Sequence, residues 1–153
     1  MRRTDKEITD YGLIETILKE EPICRIALCD WEKPYLIPMV FGYHDGYLYL
    51  HSAPEGKKID LIRKNNQICF EVESKVEVIP GEQPCSWGIN YYSVIGIGKA
   101  YFLEEPKEKK KALDIMMRKF TKDIQFDYPE DILNKIEVIK VVIEEMTGKK
   151  SGY

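Results

Sequence analysis

The segment His51–Asp60, HSAPEGKKID, contains residue types that together can hold an anion. It joins a run with the pattern of a short strand to a helix predicted from Gly56 onwards. A helix N-terminus presents unpaired backbone N–H groups and a partial positive charge. A serine hydroxyl, a glycine that admits close backbone approach and two lysine charges complete a cradle suited to phosphate, at Ser52, Gly56, Lys57 and Lys58. A solvated basic turn would have the same composition, so the spacing alone leaves both interpretations open.

A second candidate feature is the strand-like run Tyr35–Tyr43, YLIPMVFGY, which contains a proline near its middle. Pro38 cannot donate a hydrogen bond to a neighbouring strand, so another group can use the backbone there. A planar ring could lie along this strand and take hydrogen bonds from its backbone. The alternative is an edge strand protected by a proline, and the residues by themselves favour that alternative.

Aromatic and hydroxyl side chains gather at the start of a long predicted strand, at Trp87, Tyr91, Tyr92 and Ser93. Such side chains could cover a ligand or a subunit interface. They could equally pack in the core and on the surface, so this feature does not identify a site by itself.

The chain has only two histidines, and His51 is the one beside the candidate anion cradle. A lone histidine there is more typical of a structural residue or hydrogen-bond donor than of a general base, and no Ser-His-Asp or Cys-His pattern accompanies it. The four cysteines form no CxxC pair and have no histidine at zinc-ligand spacing, so we predict no metal site. We expect reduced, mostly buried thiols in a cytoplasmic protein.

The bulk composition is that of an ordinary globular chain. Its 153 residues suit a single domain, 1–153, with one core. The net charge of −3 argues against a general nucleic-acid binder, which is usually basic. No apolar run approaches the length of a membrane span, and the N-terminal MRRTDKEITD lacks the apolar region of a signal peptide. We therefore predict neither nucleic-acid nor membrane partners.

Hydrophobic periodicity and turn residues predict an alternation of short helices and strands. A helical stripe covers Asp5–Glu20, with Thr4 as its cap. The further elements, in order, are strands Ile23–Asp30, Tyr35–Tyr43 and Tyr47–His51, helix Gly56–Lys64, strands Gln67–Ser74 and Ile89–Leu103, a helix from Pro106 to about Lys122, a short helix from Tyr128 and a closing strand Ile136–Met146 before a polar tail. Neighbouring strands joined by tight turns imply an α+β fold, mainly an antiparallel β-barrel with peripheral helices.

Six segments, in this order along the chain, carry a family resemblance. They are Arg3–Ile8, Pro34–Tyr43, His51–Lys58, Cys69–Val72, Tyr91–Ala100 and Thr147–Lys149. On these segments the sequence resembles the pyridoxamine 5′-phosphate oxidase-like flavoproteins, in the branch of the 5-nitroimidazole-resistance (Nim) proteins. Each segment is a modest motif, but the ordered set is specific and spans almost the whole chain.

The resemblance implies a split β-barrel and a homodimer with FMN at the dimer interface. It assigns the strand from Ile37 to Val40 to the flavin ring. It assigns His51, Ser52, Lys57 and Lys58 to the ring edge and the phosphate region. It also suggests that the strand around Tyr92 completes the pocket, from the partner subunit. The predicted cofactor-binding residues are Ile37, Pro38, Met39, Val40, His51, Ser52, Ala53, Gly56, Lys57, Lys58, Trp87, Tyr92 and Ser93, and the catalytic candidate is His51.

Three departures from the family pattern qualify these assignments. Tyr92 stands where many relatives carry arginine, which puts one phosphate contact in doubt. Gly56-Lys57-Lys58 stands where Gly-Arg-Lys is common, and lysine keeps the charge but loses the planar fork of arginine. The chain lacks the C-terminal arginine and histidine signature of true pyridoxamine phosphate oxidases, so we do not expect oxidation of vitamin B6.

The main functional hypothesis is an FMN-dependent reductase. Its flavin would accept hydride from NADH, NADPH or another donor and pass electrons to a small oxidised substrate such as a nitroaromatic. A second hypothesis is a non-catalytic module of the same fold that binds FMN or heme, with His51 as a heme ligand. A third is a structural dimer with an empty pocket, motivated by the missing arginine at Tyr92.

Overall fold

The computed structural model describes residues 3–31, 33–122 and 126–153, which form seven strands and four α-helices. The strands are β1 Glu7–Ile8, β2 Ile23–Asp30, β3 Lys33–His44, β4 Tyr47–Ser52, β5 Gln67–Ile79, β6 Gly88–Leu103 and β7 Glu137–Ser151. The helices are α1 Tyr11–Glu20, α2 Lys57–Lys64, α3 Pro106–Met117 and α4 Glu130–Leu133, and two short 3₁₀ turns cover Thr4–Lys6 and Pro84–Ser86. In the part of the chain that is described, no helix has the length and apolar character needed to cross a membrane.

All the strand pairs are antiparallel, and they close into a barrel. The strand order is β1-β7-β4-β3-β2-β5-β6, and β6 pairs in addition with β7. Six strands therefore complete the barrel, while the short β1 adds to the edge of β7 at Lys149 and Gly148. This architecture confirms the predicted α+β class and its mainly antiparallel barrel.

The barrel is split between β3 and β4. Strand β3 pairs with β2 over its first eight residues, from Lys33 to Val40, and with β4 only from Phe41 to His44. The last registered pair between β3 and β4 is Phe41 with Leu50, after which β4 continues along β7 alone. One backbone edge of the segment 37–40 thus has no strand partner among the described residues. This gap is the feature that positions the candidate site.

Alternating side chains fill the barrel, and two glycines allow its strands to pack closely. Phe41 and Phe70 are fully buried, and burying such a side chain stabilises the fold by about 1.5–3 kcal/mol. A Cβ atom at Gly96 would collide with the Phe70 ring, and one at Gly98 would collide with the carbonyl of Val142, beside a β-bulge. Only residues without a side chain fit at these two positions.

The beginning of the chain differs from the prediction. Helix α1 begins at Tyr11, where the Asp10 carboxylate accepts hydrogen bonds from the backbone of Gly12 at 2.9 Å and Leu13 at 3.4 Å. The predicted start at Asp5 and the predicted cap at Thr4 are therefore wrong. Ile8 satisfies the helical period, yet it lies in β1 because its backbone pairs with β7. The first residue of the predicted apolar stripe, Ile8, thus belongs to a strand, while the rest of the buried stripe lies in α1.

Three further expectations are corrected. Helix α3 ends at Met117 instead of near Lys122. The segment predicted as a polar tail forms the end of β7, up to Ser151, because its backbone pairs with β6 and its polar side chains reach solvent. The cysteines are not mostly buried, since Cys24 is buried while Cys29 and Cys85 are exposed.

Lys119 follows α3 and caps α1. Its ammonium donates hydrogen bonds to the carbonyl of Leu18, at 2.7 Å, and to the carbonyl of Glu21, and it lies 3.2 Å from the centre of the Phe41 ring. The last carbonyls of a helix have no partner within the helix, so this contact satisfies one of them. Burial nevertheless disfavours the charged amine and lowers the pKa of Lys119 to about 7.

We expect Lys119 to make stability depend on pH in the alkaline range. Its pKa is about 7 in the fold and 10.5 in its ordinary state, so between these values the unfolded chain binds more protons and stability rises with pH. From pH 7 to 10, the free energy of unfolding should rise by on the order of 3 kcal/mol more in the wild type than in Lys119→Met. Urea denaturation under reducing conditions measures this difference.

The exposed Lys122 provides the control, because Lys122→Met should leave the pH dependence of the wild type unchanged. Parallel curves for the wild type and Lys119→Met would contradict the assignment of a depressed pKa to this amine.

Candidate functional site

The candidate site begins at the split between β3 and β4. Val40 and His51 occupy the first positions beyond the last pair of the two strands. The side chains of Pro38, Val40 and His51 are exposed on the outer side, whereas Met39 and Ser52 are buried on the inner side. This alternation follows from the two-residue period of a strand.

The residues of β3 therefore contribute in two different ways. Met39 is buried in the core and Ile37 packs against it, so these two can offer only backbone groups to a ligand in the gap. Pro38 and Val40 can offer apolar side chains on the outer face. The sequence identified this strand, but it did not separate the backbone contributors from the side-chain contributors.

Helix α2 begins directly after β4 and a short loop, so its N-terminus is close to Ser52 along the chain. Gly56 precedes the helix with φ of 126°, a conformation that favours glycine, and no side chain caps this end. A Cβ atom at Gly56 would have nothing within 4 Å, so the space in front of the helix is open. The helix has eight residues, enough for its first N–H groups and its dipole to attract an anion.

Ser52 has a buried hydroxyl without a partner. The residue is only 6% exposed, and its Oγ is the one buried side-chain polar atom in the described chain that lacks a hydrogen bond. Leaving such a group unsatisfied costs about 1–3 kcal/mol, so native proteins rarely retain it without a reason. A phosphate oxygen at the N-terminus of α2 would supply the missing partner. The cradle predicted from HSAPEGKKID therefore fits a phosphate-bearing cofactor.

The two lysines of the cradle have different surroundings. The Nζ atom of Lys57 lies 2.8 Å from an oxygen of Asp30, at the end of β2, and 5.0 Å from the centre of the Tyr35 ring. Lys58 instead lies close enough to His51 to affect its titration. Lys58 is thus the lysine whose charge acts at the mouth of the split.

His51 is neutral at physiological pH. Although its side chain is open to solvent on one side, partial burial lowers its pKa from 6.5, and the positive charge of Lys58 lowers it further. A neutral imidazole can both accept and donate a hydrogen bond. His51 can therefore move a proton near the split, and it has no carboxylate partner among the described residues.

An acidic residue beside the cradle is already neutralised. Glu137 of β7 pairs in register with Ser52, and its carboxylate lies 3.1 Å from the guanidinium of Arg63. Arg63 also lies over the ring of Phe102, at 5.4 Å. This arrangement removes most of the repulsion that Glu137 would exert on an anion at Ser52.

Trp87, Tyr92 and Ser93 do not join the other predicted residues within one chain. Ser52 pairs with one end of β7, and Tyr92 pairs with Lys150 near the other end, about 40 Å away along an extended strand. Tyr92 stacks on Tyr153 at 4.7 Å, and Ser93, on the opposite face, pairs in register with Glu73. These three residues could reach the split only from a second copy.

Two cavities lie beside the β2–β3 hairpin, and the second is also lined by residues of α2. Their volumes are about 450 and 740 Å³, and both are lined by Cys29 and Trp31. None of the predicted cofactor-binding residues lines either cavity. The split is instead an open cleft along a strand edge, which a single chain does not enclose.

Sequence reasoning missed Asp30 and Glu137 as charged neighbours of the cradle. Each is far from HSAPEGKKID in the sequence, and each reaches it only through the pairing of β2 and β7 in the barrel. An acidic residue at the end of a strand is too common to indicate such a contact.

The family model for pyridoxamine 5′-phosphate oxidase matches residues 12–150. The chain belongs to the pyridoxamine 5′-phosphate oxidase family. The match includes the split, α2 and the long strands β5 to β7, so the fold and the candidate site both lie within the family region.

The chain is similar to several individual family members and structures. A candidate 5-nitroimidazole antibiotic resistance protein from Bacteroides thetaiotaomicron is 39% identical with a TM-score of 0.84, covering 94% of this chain and 86% of that one. A FAD and heme binding protein from Mycobacterium smegmatis shares the fold, with a TM-score of 0.85 at 14% identity, covering 97% and 74% of the two chains. An uncharacterised Rhizobium meliloti protein is 32% identical over 50 residues, which cover 33% of this chain and 32% of that protein. The first of these similarities agrees with the Nim branch of the family named from the sequence.

We expect Ser52→Ala to stabilise the protein in the absence of cofactor. The substitution removes a buried hydroxyl that has no partner, and the gain should be about 1 kcal/mol in the free energy of unfolding. Ser74→Ala, at the other buried serine, is the matched control and should not stabilise. Chemical denaturation measures both variants, and a clear loss of stability in Ser52→Ala would show that the hydroxyl has a partner in the fold.

Proposed function

We propose that this family member binds FMN and acts as a reductase of small oxidised substrates, as a single domain in the cytoplasm. The observation that carries the proposal is the unpartnered Ser52 hydroxyl beside the uncapped N-terminus of α2. The Ser52 hydroxyl needs a hydrogen-bond partner, and the uncapped helix end attracts a negative charge. A phosphate monoester supplies both. FMN ends in such a group and also carries a planar ring that suits the open strand edge.

Each group of residues then has a distinct role. Ser52 and the first N–H groups of α2 hold the phosphate, while Lys58 contributes a positive charge at the mouth of the split. The unpaired backbone of 37–40 offers hydrogen bonds along the ring, and Pro38 and Val40 contribute apolar contacts. When bound, the flavin supplies the hydride and electron transfer chemistry, and the protein determines its position and electrostatic environment.

His51 is the candidate catalytic residue because it stands at the junction of these two regions. Its neutral imidazole can donate a hydrogen bond to a substrate oxygen or accept a proton from a neighbouring group. We propose nitroaromatic compounds as the substrate class and NADH or NADPH as the donor. The resistance protein from Bacteroides thetaiotaomicron, 39% identical, supports the choice of substrate class.

The visible spectrum and a turnover assay test this function directly. We expect the purified protein to take up FMN, and the loaded protein to oxidise NADH or NADPH in the presence of a 5-nitroimidazole. A protein that does not take up FMN would refute the cofactor assignment. Uptake without reduction by either nicotinamide would restrict the function to FMN binding.

The two lysines of the cradle should contribute unequally to FMN affinity. Lys58→Ala should weaken FMN binding about tenfold or more, since it removes a charge that acts at the split. Lys57→Ala should weaken it less, because the charge of Lys57 is already engaged by Asp30. Flavin fluorescence titration measures both dissociation constants, and a larger loss in Lys57→Ala would reverse the assignment.

We also propose that the protein is a homodimer with the cofactor at the subunit interface. Apolar side chains form a row across the outer face of β3, β2, β5 and β6, through Leu36, Ala27, Cys69 and Ile97. Leu36 is 62% exposed and Ile97 is 45% exposed, an unfavourable state in an isolated chain. This face adjoins Pro38 and Val40, and a second copy placed on it could bring Trp87, Tyr92 and Ser93 to the cofactor.

Leu36→Asp should dissociate the dimer, since it places a charge within the proposed contact, between the apolar row and Pro38. Light scattering after size-exclusion chromatography should then give a monomer, while circular dichroism remains that of the wild type. Ile132→Asp, at an equally apolar exposed position on α4, should remain dimeric. A Leu36→Asp protein that stays dimeric would exclude this face as the interface.

Heme binding without turnover is the second candidate function. The observation in its favour is that His51 is exposed and neutral, the form of histidine that ligates metals. The structural similarity to the FAD and heme binding protein of Mycobacterium smegmatis also supports it. Absorption near 400 nm that is lost in His51→Ala would favour heme, whereas flavin bands retained in that variant would favour FMN.

A further inference from the structure

Asp30 is an acidic residue that contacts the proposed phosphate cradle directly, through Lys57. It ends β2, and one of its carboxylate oxygens lies 2.8 Å from the Nζ atom of Lys57, the first residue of α2. The same ammonium lies 5.0 Å from the centre of the Tyr35 ring, on β3. These contacts hold the Lys57 side chain on the side of the β2–β3 hairpin.

The pair lies at the protein surface, and its two members differ in exposure. The Asp30 side chain is only 26% exposed, and that of Lys57 is 53% exposed. The hydrogen bond from Lys57 lowers the pKa of Asp30, and the charges of Lys57, Lys64 and Lys33 lower it further, so the carboxylate is ionised at neutral pH. The ionised Asp30 would therefore compete with a phosphate ligand for the ammonium of Lys57.

We propose that Asp30 is an internal counterion that engages Lys57 in the absence of a phosphate ligand and thereby limits the affinity of the site for phosphate-bearing ligands. This inference rests on the proposed FMN site and adds a way in which the chain regulates it. The phosphate must either bind without Lys57 or displace Asp30 from it. In both cases the pair reduces the attraction that two adjacent lysines would otherwise exert.

Asp30 could also have the opposite role, in which it helps Lys57 to bind the phosphate. A carboxylate can orient a lysine so that its ammonium points at a ligand, and its removal would then weaken binding. The contact with Tyr35 favours the counterion role, because it also holds the ammonium at the hairpin. The sign of the change in affinity therefore separates the two roles.

Asp30→Asn provides the test, since it removes the charge and keeps the size of the side chain. Titrations with FMN and with riboflavin, which has the same ring but no phosphate, should be run side by side at low salt. We expect FMN to bind about three- to tenfold more tightly to Asp30→Asn than to the wild type, and riboflavin to change less than twofold. Glu82→Gln, at an exposed acid in the loop between β5 and β6, gives the same change in net charge and should have little effect.

A double variant tests whether the effect passes through Lys57. Asp30→Asn with Lys57→Met removes both members of the pair and restores the net charge of the wild type. Because the pair acts as a neutral unit, this variant should bind FMN within about twofold of the wild type. A large loss of affinity would mean that Lys57 holds the phosphate in the wild type and would overturn the proposal.

The remaining outcomes are equally decisive. Weaker or unchanged FMN binding in Asp30→Asn would refute the counterion role and leave the FMN site intact. An equal gain for FMN and riboflavin would place the effect of Asp30 on the ring or on the fold, and would also refute it. A wild-type protein that takes up neither flavin would overturn the proposed function, and this inference with it.

Discussion

The site depends on a single constraint, which is that β3 cannot pair on both edges along its whole length. Its first half is paired with β2, and Pro38 in that half offers no N–H group to a second neighbour. Strand β4 parts from β3 after Leu50 and follows β7, so the barrel opens between them. The open edge, the exposed His51 and the buried Ser52 all follow from this parting, since they are the residues next to it.

Helix α2 packs on the barrel core and at the same time creates the electrostatic part of the candidate site. Its residues Ile59, Leu61 and Ile62 are buried in the core, and this apolar contact holds the helix in place. The helix can therefore keep an uncapped N-terminus, and the strand before it can keep an unpartnered hydroxyl. The apolar face stabilises the fold by more than these unsatisfied groups cost. The unpaired hydroxyl and the free N–H groups therefore remain in the fold, at a place where a bound ligand would satisfy them.

The sequence predicted the elements that a local pattern specifies and missed the features that distant pairing determines. Strand β2 was predicted with its observed bounds, because alternation and flanking turn residues define it. Ile8 and the end of β7 were misread, since their strand character comes from pairing partners and not from their own period. The cradle was visible because its residues are contiguous. The contact of Lys57 with Asp30 was not, because it exists only once β2 and α2 are packed together.

Under the proposed function, cofactor binding and subunit assembly share one surface. Pro38 and Val40 face outwards beside the exposed apolar row that includes Leu36, so a ring along this edge would be covered by the same copy that covers the row. A flavin bound to one chain would lie open to solvent, whereas a second copy would exclude water from it and strengthen the electrostatic contacts at the site. Tyr92, near the beginning of β6, stacks on Tyr153, so the partner copy would present a pair of aromatic rings to the cofactor.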